Sequence, residues 1–265
     1  MEKPGDFWNA LAPYHWRIEN SYLKPSVVRH FIREVRGPVL VVGAGQGLIV
    51  EELQEHGLAC VGIDLCKEMV RQARRRRGLT LVRADATALP FASGSFETVI
   101  FATGVIDFMA DDRAIASMLR EARQVSSPTG KVLVAFYRIS ASSEAFLTRL
   151  GLLRDGTLCY RELLESYRLR PAQVLAWIAA KAGVSRPNAA LLALRCWALT
   201  TLEEKRNAVS LQRVFADPEA ATHLVDSAPV EQPYRDSAAI HALFKRLDCP
   251  TDWVAAFPNC RVVAL

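Results

Sequence analysis

The sequence predicts an α/β protein built on a doubly wound, mostly parallel β-sheet. Three observations support this prediction: short apolar segments rich in β-branched residues, helical patterns that alternate with them, and glycines or acidic residues where those segments end. Strands that are buried on both faces are apolar along their whole length, and parallel strands are usually connected by helices. The alternation is therefore typical of a sheet with helices on both faces.

Five strand candidates lie in the first half of the chain. The apolar segments are residues 39–42, 59–63, 80–83, 98–102 and 132–136. Helices are predicted between them: one is closed by Gly57, one covers residues 67–77, and one carries Ile115 and Leu119 on its apolar face. A turn at residues 127–130 leads into the fifth strand. This order predicts a Rossmann-like sheet.

Helical patterns precede and interrupt this sheet. Residues 1–36 are rich in aromatic side chains, and Pro25 is suited to open a helix there. Between residues 140 and 235 the strand pattern stops, and we expect an all-helical insert. Its helices are predicted over residues 143–153, 160–169, 171–182, 189–214 and 218–225. A helix over 237–247 and strands over 253–257 and 261–265 follow, so the sheet domain is predicted to comprise residues 37–139 and 236–265.

Composition excludes several classes of protein. The chain has 265 residues, 51% hydrophobic and 23% charged, which is enough to bury a sizeable core and excludes disorder. It has no apolar stretch long enough to span a membrane and no N-terminal signal sequence. Its six cysteines form no C-x-x-C pair, so we expect a reduced, cytoplasmic protein with neither a disulfide framework nor a metal site.

The charge balance is basic. The formal net charge is +5, from 33 basic and 28 acidic residues, and the densest basic segment is residues 74–77, all arginine, preceded by Arg71. Cations at the last turn of a helix interact favourably with the helix dipole, so we favour an exposed helix end. A phosphate-binding surface for a nucleic acid is the alternative.

Glycines and acidic residues fall at the ends of successive strands. Gly43, Gly45 and Gly47 follow the first strand, where they let the backbone turn sharply and approach a ligand closely. Asp64 ends the second strand, where a carboxylate can accept both hydroxyls of a ribose, and Asp85 ends the third. Because the carboxyl ends of parallel strands meet at one edge of the sheet, these residues predict a nucleoside site there.

The glycine spacing separates two classes of cofactor. A dinucleotide fingerprint, G-x-G-x-x-G/A, has a small residue at its sixth position. Here that position is Leu48, and Gly47 precedes it. The spacing therefore favours a nucleoside that carries an amino acid, and an NAD-dependent oxidoreductase is the least favoured interpretation.

Four segments together resemble the class I S-adenosylmethionine-dependent methyltransferases. They are the strand and glycine loop at 39–47, G-I-D at 62–64, A-D-A at 84–86 and L-P-F-A-S-G-S-F-E-T-V at 89–99. The last segment is similar to a loop of the branch that methylates small molecules. The resemblance covers about residues 37–137, and it implies S-adenosyl-L-methionine as cofactor and S-adenosyl-L-homocysteine as product.

The resemblance also implies a set of cofactor-binding residues. The glycine loop would surround the methionine moiety, Asp64 would hold the ribose, and Leu65 and Asp85 would contact the adenine. Residues after the fourth strand would lie below the sulfonium. The full implied set is Tyr14, Gly43, Ala44, Gly45, Gly47, Asp64, Leu65, Asp85, Ala86, Thr103 and Gly104.

The N-terminal segment resembles a lid. In the small-molecule branch an F-D-x-x-A-P-x-Y helix often closes over the cofactor, and residues 8–15 are similar to it, which makes Tyr14 and His15 candidate contacts. One departure concerns the acidic residue that usually stands two positions before the first glycine and helps to hold the cofactor's amino group; here it is Val41.

Methyl transfer from a sulfonium requires the protein mainly to position the acceptor and exclude water. An acceptor that must lose a proton needs a base, and the catalytic candidates are His15 and Asp107, with His241 as a third. The alternatives are a lid histidine without proton transfer and an aspartate that caps a helix. Tyr160, Tyr167 and Trp177 of the insert are candidates for the acceptor pocket or, alternatively, for the core.

The sequence thus predicts a cytoplasmic methyltransferase acting on a small-molecule acceptor held between the sheet domain, the N-terminal helix and the inserted cap. A nucleic-acid (tRNA or rRNA) methyltransferase is the alternative, although the fourth strand is not followed by the Pro-Pro or Pro-Cys motifs of such enzymes. A non-catalytic, cofactor-binding partner subunit is a further alternative, motivated by Val41. A homodimer is left open, and no membrane span is expected.

Overall fold

The computed structural model describes residues 4–16, 25–109, 111–199, 202–249, 252–257 and 260–264. Parts of the predicted N-terminal unit, residues 1–3 and 17–24, lie outside the described residues, as does the last residue of the predicted final strand.

The helices and strands alternate through the first half of the chain and again at its end. Up to the fifth strand they are α1 (Pro4–His15), α2 (Pro25–Glu34), β1 (Val39–Val42), α3 (Leu48–Glu55), β2 (Cys60–Asp64), α4 (Lys67–Arg77), β3 (Val82–Arg83), β4 (Phe96–Phe101), α5 (Asp112–Val125) and β5 (Ser126–Tyr137). The insert comprises α6 (Ala141–Arg149), β6 (Leu153–Arg154), β7 (Thr157–Leu158), α7 (Tyr160–Ser166), α8 (Pro171–Ala182), α9 (Arg186–Leu199), α10 (Leu202–Phe215), α11 (Pro218–Ser227) and β8 (Gln232–Pro233). The chain then forms α12 (Ser237–Arg246), β9 (Asp252–Phe257) and β10 (Cys260–Ala264).

Seven strands form the main sheet in the order β3-β2-β1-β4-β5-β10-β9. The first five run parallel, and β10 runs antiparallel to both β5 and β9. The strand order reverses at β1, which pairs with β2 on one side and β4 on the other. A crevice at the carboxyl edge is expected at such a reversal. The predicted fold class is confirmed.

The sheet is buried on both faces, which explains why its strands are apolar throughout. On one face α2, α3 and α4 pack through Phe31, Leu53 and Ala73. On the other, α5 and α12 pack through residues such as Leu119 and Phe244. All four residues of β1 are buried, because helices cover it from both sides.

Two predicted strands differ from the structure. The third is only Val82–Arg83, and its two residues are exposed at the edge of the sheet, so little burial supports a longer strand. The fifth begins at Ser126 and contains the predicted turn as a bulge. Phe96 pairs with Ser126 and Thr98 with Lys131, so the intervening residues of β5 loop out of register.

The insert is mostly, but not entirely, helical. β6, β7 and β8 form a small antiparallel sheet, which departs from the all-helical prediction. A tight hairpin joins β6 and β7, and Asp155 and Gly156 both have positive φ there (47° and 72°). Strands of two residues carry too little periodicity to be recognised from sequence. The helix predicted over 189–214 is two helices, α9 and α10.

Helix α1 lies between the sheet domain and the insert, because it contacts both α4 and α11. Its apolar residues Phe7, Ala10 and Leu11 are buried with Phe215 and Leu224 of the insert. In the described part of the chain, no helix is both long and apolar enough to cross a membrane. The same residues contain no cluster of three or more metal-ligating side chains.

Candidate functional site at the carboxyl edge of the sheet

The glycine loop after β1 needs its glycines. Gly43, Gly45 and Gly47 have φ angles of 69°, 57° and 90°, a region that other residues rarely adopt. A Cβ atom would lie 2.1 Å from Val105 Cγ2 if added at Gly43 and 2.5 Å from Leu79 Cδ1 if added at Gly47. A side chain at either position would therefore displace the side chain of Val105 or of Leu79.

Asp64 joins this loop to the end of β2. Its Oδ2 accepts the Gly45 N–H at 2.8 Å and its Oδ1 accepts the Cys66 N–H at 2.8 Å. Burial raises the pKa of Asp64 above its usual value, although these two N–H groups and the charge of His15 act in the opposite direction. Each carboxylate oxygen keeps a lone pair for a further donor.

The ends of β2 and β3 also present an apolar and an acidic residue. Leu65, directly after Asp64, is 49% exposed and presents an apolar side chain next to the carboxylate in sequence. Asp85 follows β3 and accepts two bonds from Thr87 at Oδ1, from its N–H at 2.8 Å and from its hydroxyl at 2.7 Å. Ala86 is half-buried in the same turn.

Beyond β4 the loop is fixed by Asp107. Its Oδ2 accepts the Gly104 N–H at 2.7 Å, and its Oδ1 accepts the N–H of Tyr137, at the end of β5, at 3.0 Å. Burial raises the pKa of Asp107 to about 6, while the two N–H groups and the cationic Arg235 oppose this shift. Since both oxygens are engaged by the backbone, the geometry favours a role in holding the loop.

Arg235, where the chain leaves the insert, reaches the same loop. Its guanidinium donates to the carbonyl oxygens of Ile106 at 3.2 Å and Met109 at 2.7 Å, and it lies 3.9 Å from Asp112. Only 14% of the side chain is exposed. The return from the insert is thereby tied to the loop that follows β4.

Helix α1 lies directly over this edge. A Cβ added at Gly45 would be 3.5 Å from His15 Cε1, and one added at Gly104 would be 3.5 Å from Trp8 Cη2. Gln46 in the glycine loop is 1% exposed and donates from Nε2 to the Ala12 carbonyl at 2.6 Å. These contacts place His15 beside the glycine loop and Trp8 beside the end of β4.

A second set of contacts fastens α1 to α4. Burial raises the pKa of Cys66 to about 11, so its thiol stays protonated and donates to Asn9 Oδ1 at 3.0 Å. The Glu68 N–H also donates to Asn9 Oδ1, at 3.3 Å. At the other end of the helices, the guanidinium of Arg76 stacks over the Trp16 ring at 4.7 Å.

Aromatic rings connect α1 to the insert. Trp8 and Phe108 lie 4.9 Å apart between ring centroids, Phe108 and Tyr160 5.6 Å, and Phe7 and Tyr160 5.5 Å. We call Phe7, Trp8, Phe108 and Tyr160 the aromatic cluster. Tyr14 packs against the apolar core that surrounds the aromatic cluster. Of the two predicted lid contacts, therefore, only His15 meets the glycine loop among the described contacts.

Two buried polar atoms at this edge lack partners among the described residues. They are Gln46 Oε1 and Thr103 Oγ1. An unpaired buried polar group is destabilising, and such groups concentrate where a ligand supplies the missing bond. By contrast Val41, at the position of the family's usual acid, is fully buried in β1.

The arginine-rich segment is the last turn of α4, as predicted. Arg71 forms an ion pair with Glu68, Arg77 forms one with Glu51, and Arg76 is the residue stacked on Trp16. Three of the five arginines thus contact other side chains of the protein. His241, the third base candidate, is exposed on α12.

Comparison with known proteins identifies the family. The sequence profile of a family described as a methyltransferase domain matches residues 40–134. A demethylmenaquinone methyltransferase from Renibacterium salmoninarum is 39% identical over 98 residues, which are 37% of this chain and 40% of that protein. One from Thermus thermophilus is 33% identical over 165 residues, which are 55% of this chain and 72% of that protein. The chain belongs to the class I S-adenosylmethionine-dependent methyltransferases.

A solved structure shares the fold of this chain. The PH0226 protein from Pyrococcus horikoshii aligns with 94% of this chain over 89% of its own, with a TM-score of 0.52 and 17% identity. The match to the Renibacterium protein covers well under half of that relative's length. The profile match contains the glycine loop, Asp64, Asp85 and Asp107, whereas α1 and the insert lie outside it.

Several residues of this edge were not singled out from the sequence. Asn9, Gln46 and Arg235 all bind backbone or side-chain groups more than 30 positions away in the chain. Gln46 stands between two glycines of the loop, and its long polar side chain is the one local feature that could have indicated a contact at this edge. Nothing local distinguishes Asn9 or Arg235 from ordinary surface residues.

Proposed function

We propose that the protein transfers the methyl group of S-adenosylmethionine to a small, hydroxylated aromatic acceptor of the naphthoquinol class. The observation that carries this proposal is the aromatic cluster, whose Trp8 ring lies against Gly104 at the end of β4. Stacked and edge-to-face rings bind planar apolar molecules well. Two relatives are named demethylmenaquinone methyltransferases, which agrees with an acceptor of this class.

The residues at the carboxyl edge suit the cofactor. The glycine loop has no room for side chains at Gly43 and Gly47, and Gln46 Oε1 and Thr103 Oγ1 are buried acceptors that await a donor. We propose that Asp64 holds the ribose and that Leu65 and the Asp85–Ala86 turn hold the adenine. We also propose that Gln46 Oε1 accepts a hydrogen bond from the cofactor's ammonium group. In the family this bond usually goes to the acidic residue at the position of Val41. The bound cofactor supplies an activated methyl group on its sulfonium.

The protein's own contribution is positioning and exclusion of water. Asp107 and Arg235 hold the loop that carries Thr103 and Gly104, and α1 covers the glycine loop through Gln46 and His15. His15 is the ionisable group of α1 that lies at this edge, so it is the proposed base if the acceptor hydroxyl must lose its proton. Helix α1 then acts as the lid and residues 140–235 as the cap that selects the acceptor, whereas α2, also within the predicted 1–36 unit, packs on a face of the sheet.

The cytoplasm is the proposed location. Cys60, Cys66, Cys159 and Cys249 have free thiols, and Cys66 and Cys249 are buried. Free thiols are typical of a reducing compartment.

A transfer assay tests the proposal. Protein is incubated with methyl-labelled S-adenosylmethionine and either a reduced short-chain demethylmenaquinone analogue or bulk tRNA. Label is expected in the organic extract and absent from the tRNA. Label on the tRNA alone would establish the nucleic-acid alternative, and cofactor binding without transfer to either would favour the partner subunit.

The cofactor assignment has its own test. In Asp64→Asn one oxygen that accepts a backbone N–H is replaced by an amide, and the charge that would bind the ribose is lost. We expect S-adenosylhomocysteine affinity, measured by calorimetry, to fall about ten- to hundredfold. The matched control is Asp217→Asn, since Asp217 also accepts two backbone N–H groups, at the start of α11. Equal affinities in the two variants would remove Asp64 from the site.

A further inference from the structure

Helix α9 is apolar on both of its faces. Ala189, Leu192 and Ala193 pack inward with α6 and α8 in one core cluster. On the outside, Leu191 is 52% exposed, Leu194 65% and Trp197 50%. A helix that is apolar all round is normally covered all round, and an exposed apolar patch of this kind marks an interaction surface.

The exposed residues form one continuous stripe. Leu191, Leu194 and Ala198 recur at intervals of three and four, so they lie on the same side of the helix. Trp197 flanks this stripe on one side and Arg195 on the other. We call Arg186, Leu191, Leu194, Arg195 and Trp197 the docking face.

The charge of the surrounding segment has a single sign. From residue 166 to residue 202 the sequence contains no aspartate or glutamate, and it contains five basic residues: Arg168, Arg170, Lys181, Arg186 and Arg195. Lys181 forms an ion pair with Glu162, which lies outside that segment. Arg186 and Arg195 form no ion pair with any residue that the structure describes.

We propose that the docking face rests on the surface of an anionic lipid bilayer. Leucine and tryptophan on one face of a helix, together with arginine and no acidic residue, is the composition of helices that lie in the membrane interface. Tryptophan suits the headgroup level, where one part of the ring is wet and another apolar. Anionic lipids attract Arg186 and Arg195, which form no ion pair within the described part of the chain.

A second copy of the chain fits the docking face less well. A two-fold contact brings each surface onto its own copy, so Arg195 and Arg186 would meet arginines of the other molecule. With no acidic residue in the segment, these charges would repel each other at close range. Charge complementarity therefore favours the bilayer.

Vesicle flotation tests this inference without reference to methyl transfer. The full-length protein is mixed with vesicles of phosphatidylcholine alone or of phosphatidylcholine with phosphatidylglycerol, at low and at high salt. We expect binding to the anionic vesicles and weaker binding at high salt. A blue shift of tryptophan emission on binding should be lost in Trp197→Phe.

Two double variants locate the contact. Leu191→Ser/Leu194→Ser removes apolar area and Arg186→Gln/Arg195→Gln removes charge, and each should lower the partition coefficient about tenfold. The matched controls are Val230→Ser, an exposed apolar residue elsewhere, and Arg74→Gln/Arg75→Gln, an exposed pair on α4. Controls that weaken binding as much as the docking-face variants would overturn the inference.

Sedimentation velocity measures whether the protein is a monomer or a dimer in solution. If the protein ignores anionic vesicles and sediments as a dimer that Leu191→Ser/Leu194→Ser dissociates, the docking face joins two copies and the bilayer proposal is wrong. If it ignores vesicles and sediments as a monomer, the proposal is also wrong. Circular dichroism of each variant confirms that loss of binding does not reflect unfolding.

Discussion

At the scale of single residues, Thr103 illustrates how function and stability oppose each other at this edge. Its hydroxyl is buried and has no partner among the described residues, so the fold gains nothing from it. Native proteins keep such groups mainly where a ligand completes the bond. The residue is thus better explained by binding than by folding.

Replacing Thr103 with valine, which has nearly the same shape, separates the two effects. We expect Thr103→Val to leave the free energy of unfolding of the ligand-free protein unchanged or to raise it by about 1 kcal/mol. S-Adenosylmethionine affinity or turnover should fall in the same variant. Denaturant titration and calorimetry measure the two quantities, and a destabilised variant with normal binding would contradict this interpretation.

Asp107 has a pH dependence whose sign is fixed by burial. Because its folded pKa, about 6, lies above the usual 3.8, the ionised form is less favourable in the folded chain than in the unfolded chain. Its contribution is fully present below the lower value and is lost as pH rises through about 6.

Comparison with Asp107→Asn isolates that contribution, since asparagine does not titrate. Between about pH 3 and 7 the free energy of unfolding of the wild type should fall by about 3 kcal/mol relative to the variant. Denaturant unfolding across this range measures the difference. A constant difference at all pH values would mean that Asp107 titrates normally.

At the scale of elements, α1 is held to the sheet domain by a few polar contacts and by packing with the insert. Of these contacts, the hydrogen bond from the Gln46 side chain to the Ala12 carbonyl is the buried one. Backbone hydrogen bonds join the strands of the sheet, whereas side-chain contacts hold α1, so we expect α1 to open more readily than the sheet. Opening of α1 would expose the glycine loop.

Gln46→Leu keeps the volume of the side chain but removes the bond to α1. We expect amide exchange across residues 4–15 to become about two- to tenfold faster, the range that a net hydrogen bond allows. Gln54→Leu is the matched control, because Gln54 also donates to a carbonyl, that of Cys60, but at the surface. Hydrogen exchange with mass spectrometry measures the exchange rates in both variants. Unchanged exchange in Gln46→Leu would mean that apolar packing alone holds α1.

At the scale of the whole molecule, Arg235 couples the insert to the site. It emerges where the insert returns to the sheet domain and holds two carbonyls of the loop after β4. Arg246 contacts Asp112 at 2.8 Å but is 60% exposed, so it offers a comparison at the surface.

We expect Arg235→Met to lower the free energy of unfolding by about 1.5–3 kcal/mol, since it leaves buried carbonyls without charged donors. Arg246→Met should change it by less than about 1 kcal/mol, because water screens an exposed pair. Denaturant titration of both variants measures this. Equal losses of stability in the two variants would show that burial does not strengthen the hydrogen bonds of Arg235.

The sequence by itself determined the sheet domain and the edge of the sheet that carries the candidate site. Buried parallel strands are apolar throughout and are separated by helices, and both properties are recorded locally, as at Val39–Val42. Once the strands were placed, their order brought Gly43, Asp64 and Asp85 to one edge, because carboxyl ends of parallel strands coincide.

Only the tertiary structure decided how α1 and the insert complete that edge. Three contacts join segments that are far apart in the chain: Trp8 with Gly104, Gln46 with Ala12, and Arg235 with the loop after β4. No local periodicity specifies which distant groups will meet. The short strands β6 to β8 escaped prediction for a similar reason, since pairing with distant partners defines them. Periodicity follows from a residue's own helix or strand, whereas these contacts follow from how the finished elements pack.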